Sequence, residues 1–62
     1  MKELRRLFKK DGSRQLIVVY YDDGKMIMWR EATDQDIKIH CGIIARIDED
    51  DIKEVYHQNS KQ

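Results

Sequence analysis

The feature that most constrains the fold is the segment LIVVYYDDGKMIMW, residues 16–29, in which two apolar runs flank an Asp-Gly pair. An Asp-Gly pair between β-branched and aromatic residues is typical of a two-residue hairpin turn. Both strands are almost continuously apolar, as expected for strands that are covered on both faces. A chain of 62 residues must therefore cover the hairpin twice, or obtain one of the covering layers from a partner.

The turn predicts the register of the hairpin. With Asp23 and Gly24 as the turn residues, we expect Asp22 to face Lys25 and Tyr21 to face Met26. Continued without a break, this register divides the side chains between two faces. One face holds Leu16, Val18, Tyr20, Ile27 and Trp29, and the other holds Ile17, Val19, Tyr21, Met26 and Met28.

The length predicts one domain, residues 1–62, with a frayed polar tail at 58–62. A chain of this size buries only about 60% of the surface that its unfolded form exposes. Cys41 is the only cysteine, which excludes an intrachain disulfide and a four-cysteine metal site. Stability must therefore come from packing or from self-association.

The first ten residues, MKELRRLFKK, predict a short amphipathic helix that ends near Asp11-Gly12. Leu4, Leu7 and Phe8 would form its apolar stripe. The alternative is a strand over residues 4–10 that turns at Asp11-Gly12 into the next strand.

The second half of the chain begins with an alternating pattern. Apolar residues occupy six successive alternate positions, namely Ile37, Ile39, Cys41, Ile43, Ala45 and Ile47. The pattern predicts a strand with one solvated face and a bulge or bend at Gly42. A helix that begins at Thr33 is the alternative, because Thr33 and Asp36 resemble a capping box.

Residues 48–51, DEDD, predict a solvated turn. Ile52, Glu54 and Tyr56 then fit an edge strand in a hairpin with residues 43–47, whereas Ile52, Val55 and Tyr56 fit a helical turn. We therefore predict an α+β fold, with a short N-terminal helix packed on a small twisted antiparallel sheet of three to four strands. The alternative is a small SH3-like or Sm-like all-β barrel.

No pattern of catalytic or ligand-binding residues stands out. His40 and Cys41 are adjacent, and on a strand they would point to opposite faces, so they could not form a metal site or a nucleophile–base pair. The acidic residues lack the spacing of a calcium loop, and the three glycines form no phosphate-binding run. We expect no enzymatic activity, cofactor, metal or small-molecule substrate.

Charge is balanced overall, with 12 basic and 12 acidic residues, but residues 1–30 have an excess of basic side chains. Six cations at the start of the chain could contact nucleic-acid phosphates: Lys2, Arg5, Arg6, Lys9, Lys10 and Arg14. Nucleic-acid binding is therefore one functional hypothesis.

The favoured hypothesis is a small non-enzymatic binding module, an accessory or regulatory protein that acts through protein–protein contact, as a homodimer. Its predicted interface consists of Ile17, Val19, Tyr21, Met26 and Met28, because Met and Tyr are common in interface cores. The single thiol and the absence of a signal peptide or a long apolar run predict a cytoplasmic protein that does not span a membrane.

Overall fold

The computed structural model describes residues 3–12 and 15–58, which form one mixed five-stranded sheet and two short helices. The strands are β1 (Glu3–Lys10), β2 (Leu16–Asp22), β3 (Lys25–Glu31), β4 (Ala45–Ile47) and β5 (Tyr56–His57). The helices are α1 (Asp34–Ile39) and α2 (Glu49–Ile52). The strand order is β4-β1-β2-β3-β5, and only β2 runs antiparallel to its neighbours.

The predicted N-terminal helix is wrong, because residues 3–10 form β1 and turn at Asp11 and Gly12 towards β2. Leu7 and Phe8 explain the difference. They are adjacent, so on a strand they point to opposite faces, and each is only 8% exposed. A helix would have placed both on one stripe, whereas the sheet needs an apolar side chain on each face.

The predicted hairpin is confirmed, but its register holds only near the turn. Asp23 and Gly24 both have positive φ, as a type I′ turn requires, and Tyr21 lies opposite Met26. A bulge at Ile27 then shifts the pairing, so that Tyr20 lies opposite Met28. The shift exchanges the predicted faces of Met28 and Trp29, since one extra residue reverses side-chain direction.

The predicted strand over residues 37–47 is wrong for most of its length. Thr33 and Asp36 form the capping box of α1, in which the side chain of each binds the backbone N–H of the other. Of the six alternating apolar positions, only Ile47 is buried, and it lies in the three-residue strand β4. The alternation therefore does not record a buried face, and the local capping interactions determine the structure.

The acidic segment at 48–51 is not only a turn, because residues 49–52 form α2. The predicted hairpin between residues 43–47 and the following strand is also wrong. β5 lies at the far edge of the sheet, where Met28 faces Tyr56 in a parallel pair with β3.

In the predicted tail, the Gln58 amide donates to the Trp29 carbonyl at 2.8 Å, and residues 59–62 lie outside the described residues.

Two connections cross the sheet on opposite faces. The segment with α2 leads from β4 to β5 and places Ile52 in a core with Phe8, Ile17, Val19 and Ile47. We call this side the α2 face. The segment with α1 leads from β3 to β4 over the other side, the α1 face, where Leu7 and Val18 are buried. Because both connections join parallel strands and run in opposite directions, they have the same hand.

The predicted fold class is therefore wrong in both of its forms. The N-terminal element is a strand, and the sheet is mixed rather than antiparallel. The sheet is also open, since β4 and β5 form separate edges. One short helix on each face supplies the two layers that the apolar hairpin requires.

Ile52 tests the importance of the α2 layer. It is 1% exposed, so Ile52→Ala is expected to lower the free energy of unfolding by about 2–4 kcal/mol through a cavity beneath the helix. Ile43→Ala removes the same atoms from a side chain that is 96% exposed. This control should change the free energy of unfolding by less than about 0.5 kcal/mol. Urea denaturation measures both; equal losses would show that α2 does not cover the core.

Candidate functional site

The predicted interface residues do not form one exposed surface. Ile17 and Val19 are completely buried within the chain, and Tyr21 and Met26 pack against the same core. Met28 lies on the α1 face, because the bulge at Ile27 reverses its direction. The α2 segment thus covers the apolar face that the sequence predicts a second subunit to cover.

The predicted nucleic-acid contacts are also divided. On β1, Arg5 and Lys9 belong to the α1 face, while Arg6 and Lys10 belong to the α2 face, as strand alternation requires. Lys2 and Arg14 lie outside the described residues. The four described cations consequently do not form one continuous basic face.

One edge of β1 is open. β4 pairs only with Phe8, Lys9 and Lys10, so the structure describes no strand beside residues 4–7 on that side. Residues 4–6 are exposed. We call residues 4–7 the open edge; strands with such unpaired backbone groups are templates for the addition of another strand.

Hydrogen bonds on either side of β1 show which residues present their backbone to the open edge. The Lys10 amide donates to the Gln15 carbonyl on the β2 side, and the Asp11 amide donates to Ile47 on the β4 side. Because backbone groups alternate in direction along a strand, Arg5 and Leu7 point away from β2. The N–H and C=O groups of Arg5 therefore lie on the open edge.

A cleft of about 190 Å³ lies beside the open edge on the α1 face. The sheet contributes Arg5, Arg6, Leu7 and Val18 to its lining. The helix α1 and the residues after it contribute Asp36, Ile39, His40 and Cys41. We call this the arginine cleft.

Among the described residues that line the arginine cleft, Asp36 alone carries a carboxylate, and this group is already engaged. Its Oδ2 accepts from Arg30 Nη1 at 2.7 Å and from the Thr33 amide at 2.8 Å, and its Oδ1 accepts from Arg30 Nη2 at 3.2 Å. These hydrogen bonds, chiefly those from Arg30, hold the pKa of Asp36 well below its usual range, against the opposing effect of burial. The same pair raises the pKa of Arg30.

Arg5 and Arg6 differ from Arg30 in having no such partner. No carboxylate whose position the structure describes lies within 4.0 Å of either guanidinium. With Asp36 neutralised by Arg30, the arginine cleft carries a net positive charge. It is therefore electrostatically suited to an anionic group.

The prediction that His40 and Cys41 lie on a strand and point to opposite faces is wrong. Both follow α1 outside any strand, where alternation does not apply, and both line the arginine cleft. His40 Nε2 is buried and has no hydrogen-bond partner within the described part of the chain. Only the path of α1 across the sheet brings these residues to β1, so no local signal could have indicated the site.

A second cluster surrounds Trp29 on the α2 face. The His57 ring stacks on Trp29, with centroids 3.9 Å apart and planes 9° apart, and His57 Nε2 lies 3.3 Å from Glu31 Oε2. Lys10 Nζ lies 5.4 Å from the centre of a Trp29 ring. The contacts of His57 with Trp29 and Glu31 hold the two-residue strand β5 against β3, so the cluster has a structural role.

Further clefts are present. One of them, about 330 Å³, is lined by Leu4, Arg6, Tyr21, Asp23 and Gly24 at the tip of the hairpin. Among residues 3–12 and 15–58, no three His, Cys, Asp or Glu side chains are grouped to hold a metal ion. Neither described helix has the length and apolar character needed to cross a bilayer.

Comparisons with protein-family models, with curated proteins and with solved structures gave no match to this chain. The open edge and the arginine cleft therefore stand on their geometry and charge.

The Arg30–Asp36 pair generates a prediction about pH. Asp36→Asn should lower the free energy of unfolding at pH 7 by about 2 kcal/mol, since it weakens a half-buried ion pair and a helix cap together. The folded protein holds the pKa of Asp36 low, so on acidification the unfolded chain takes up this proton first. The advantage of the wild type should therefore shrink as the pH falls below about 4.

Asp50→Asn is the matched control, because Asp50 is exposed and its ion pair with Lys53 is weak, with 4.0 Å between Asp50 Oδ1 and Lys53 Nζ. It should change the free energy of unfolding by less than about 0.5 kcal/mol. Urea titrations at several pH values measure both variants. A constant difference between the wild type and Asp36→Asn from neutral to strongly acidic pH would contradict the prediction.

Proposed function

We propose that this protein is a small non-enzymatic binding module that binds an extended, acidic segment of a partner protein along the open edge of β1. The observation that carries the proposal is that β4 covers only three of the eight residues of β1. The remaining part presents the backbone of Arg5 beside its guanidinium, which has no ion-pair partner among the described residues. This role belongs to the class of accessory and regulatory proteins that act through protein–protein contact.

Strand addition fits this edge physically. An added strand obtains affinity from main-chain hydrogen bonds, and alternate side chains supply specificity. The neighbouring strands β1 and β2 are fixed by a full antiparallel register and a buried core. The edge is therefore ordered before binding, which limits the entropy lost in forming the complex.

The positive charge of the open edge favours an acidic partner segment. Arg5 and Arg6 stand at the open edge with no described carboxylate within 4.0 Å. Opposite charges on neighbouring strands stabilise a pair, whereas like charges destabilise it. An acidic segment satisfies both arginines.

A second copy of the chain fits this edge poorly. Antiparallel pairing of two such edges would place Arg5 and Arg6 near the same residues of the other copy, and like charges on edge strands oppose such association. The homodimer through Ile17, Val19, Met26 and Met28 stays a prediction. The exposed apolar face that motivated it is covered by Ile52 and its neighbours.

Nucleic-acid binding is the less favoured hypothesis. The cations of β1 are divided between two faces. Aromatic rings can stack on nucleic-acid bases, but Tyr20, Tyr21 and Trp29 are all partly buried. A nucleic-acid backbone would therefore contact two cations on each face of the sheet, and no single continuous basic surface.

Arg5 offers a sharp test, because both its charge and its amide are implicated. The probe is a peptide of alternating valine and glutamate, and amide chemical shifts of the protein report its position and affinity. Arg5→Val removes the charge and keeps the amide, so binding should weaken about three- to five-fold. Arg5→Pro also removes the amide at a position where proline is tolerated, and binding should be lost.

Two controls keep this test decisive. The hairpin resonances of Arg5→Pro must match those of the wild type, because its amide does not pair with β2. A peptide of the same sequence with methylated backbone nitrogens should not bind the wild type. Equal binding by Arg5→Pro and Arg5→Val, or binding of a single-stranded RNA oligomer in place of the peptide, would overturn the proposal.

A further inference from the structure

The arginine cleft adjoins the open edge, and its chemistry is more specific than a preference for acidic chains. We propose that it receives a phosphorylated side chain of the segment bound at the open edge. This inference rests on the proposed function and names the chemical group that the partner carries. It follows from the charge of the cleft, its size, an imidazole nitrogen with no hydrogen-bond partner among the described residues, and the place of the cleft beside β1.

The charge of the arginine cleft suits an anionic group such as a phosphate. Arg5 contributes a positive charge from the α1 face, while the side chain of Arg6 belongs to the α2 face, and Asp36 is held by Arg30. The C-terminal end of α1 lies nearby, but a helix dipole places only about half a negative charge there. A phosphoryl group carries about two negative charges and three strong acceptor oxygens, and guanidinium groups bind such oxygens in pairs.

His40 supplies a further donor. His40 lines the cleft, and its Nε2 is buried with no hydrogen-bond partner within the described residues. A buried imidazole nitrogen without a hydrogen bond is unfavourable, because it has lost its contacts with water and gained none in return. A small rotation of the ring towards a phosphate oxygen would remove this cost, so ligand binding and the local structure favour the same movement.

Strand geometry places the ligand. Neighbouring strands lie about 4.8 Å apart, and alternate side chains of an added strand point to the α1 face. A side chain opposite Arg5 on this face therefore stands at the mouth of the arginine cleft. The cleft volume of about 190 Å³ accommodates a phosphoryl group together with the side-chain atoms that carry it.

The first experiment uses inorganic phosphate and the full chain. The protein has two histidines, and His57 is stacked on Trp29 on the opposite face, so the imidazole spectra contain an internal control. Phosphate should shift the His40 ring saturably and leave the His57 ring unchanged, relative to chloride at equal ionic strength. Equal shifts of both rings, or none, would overturn the assignment of the cleft.

The second experiment compares two peptides. One is the alternating valine–glutamate peptide, and the other carries phosphoserine in place of the glutamate opposite Arg5. The phosphorylated peptide should bind at least ten-fold more tightly and should shift the His40 ring. Arg5→Gln should abolish this preference, whereas Arg46→Gln should keep it, because Arg46 is exposed on β4 near Asp11.

The outcomes separate the inference from the proposed function. Binding of both peptides with equal affinity would leave strand addition intact and overturn the phosphorylated side chain. Failure of both peptides to bind would overturn the proposed function, and the inference with it, even where inorganic phosphate alone shifts His40. Loss of the preference in His40→Ala with strand addition retained would support the role of the imidazole.

Discussion

The rest of the structure depends on one constraint, which is that β2 is apolar on both faces. Ile17 and Val19 are buried on the α2 face, and Val18 is buried on the α1 face. Such a strand is stable only at the centre of a sheet that is covered twice. The remaining residues achieve this with two short connections, each of which crosses one face and returns the chain to a parallel edge strand.

The α1 layer depends on a half-buried ion pair more than on apolar contact. Asp36 closes the capping box with Thr33 and also accepts two hydrogen bonds from Arg30 of β3. The same carboxylate therefore starts the helix and ties it to the sheet. Because this contact directs α1 across β2, it also determines where Ile39 and His40 stand relative to β1. The stability of the fold and the geometry of the arginine cleft thus share one interaction.

The open edge also results from the shortness of these connections and of β4. The connection through α1 reaches β1 only at Phe8, and β4 is three residues long, so the first half of β1 stays without a neighbour. Arg5 and Arg6 at this position oppose pairing between copies of the chain, while they attract an acidic strand. These charges are the basis of the proposed binding of an acidic segment at the open edge. The further proposal assigns the cleft beside this edge to a phosphoryl group.

The sequence by itself determined the β2–β3 hairpin and the capping of α1, because a turn at Asp23-Gly24 and a box of Thr33 and Asp36 each depend on a few adjacent residues. In the sequence, the capping box competes with an apolar alternation that the fold does not bury. Tertiary structure decided that residues 3–10 form a strand and that Met28 and Trp29 exchange faces. It also placed Arg5 beside His40. Strand pairing, bulges and cover arise from contacts between residues far apart in the chain, so no local pattern records them.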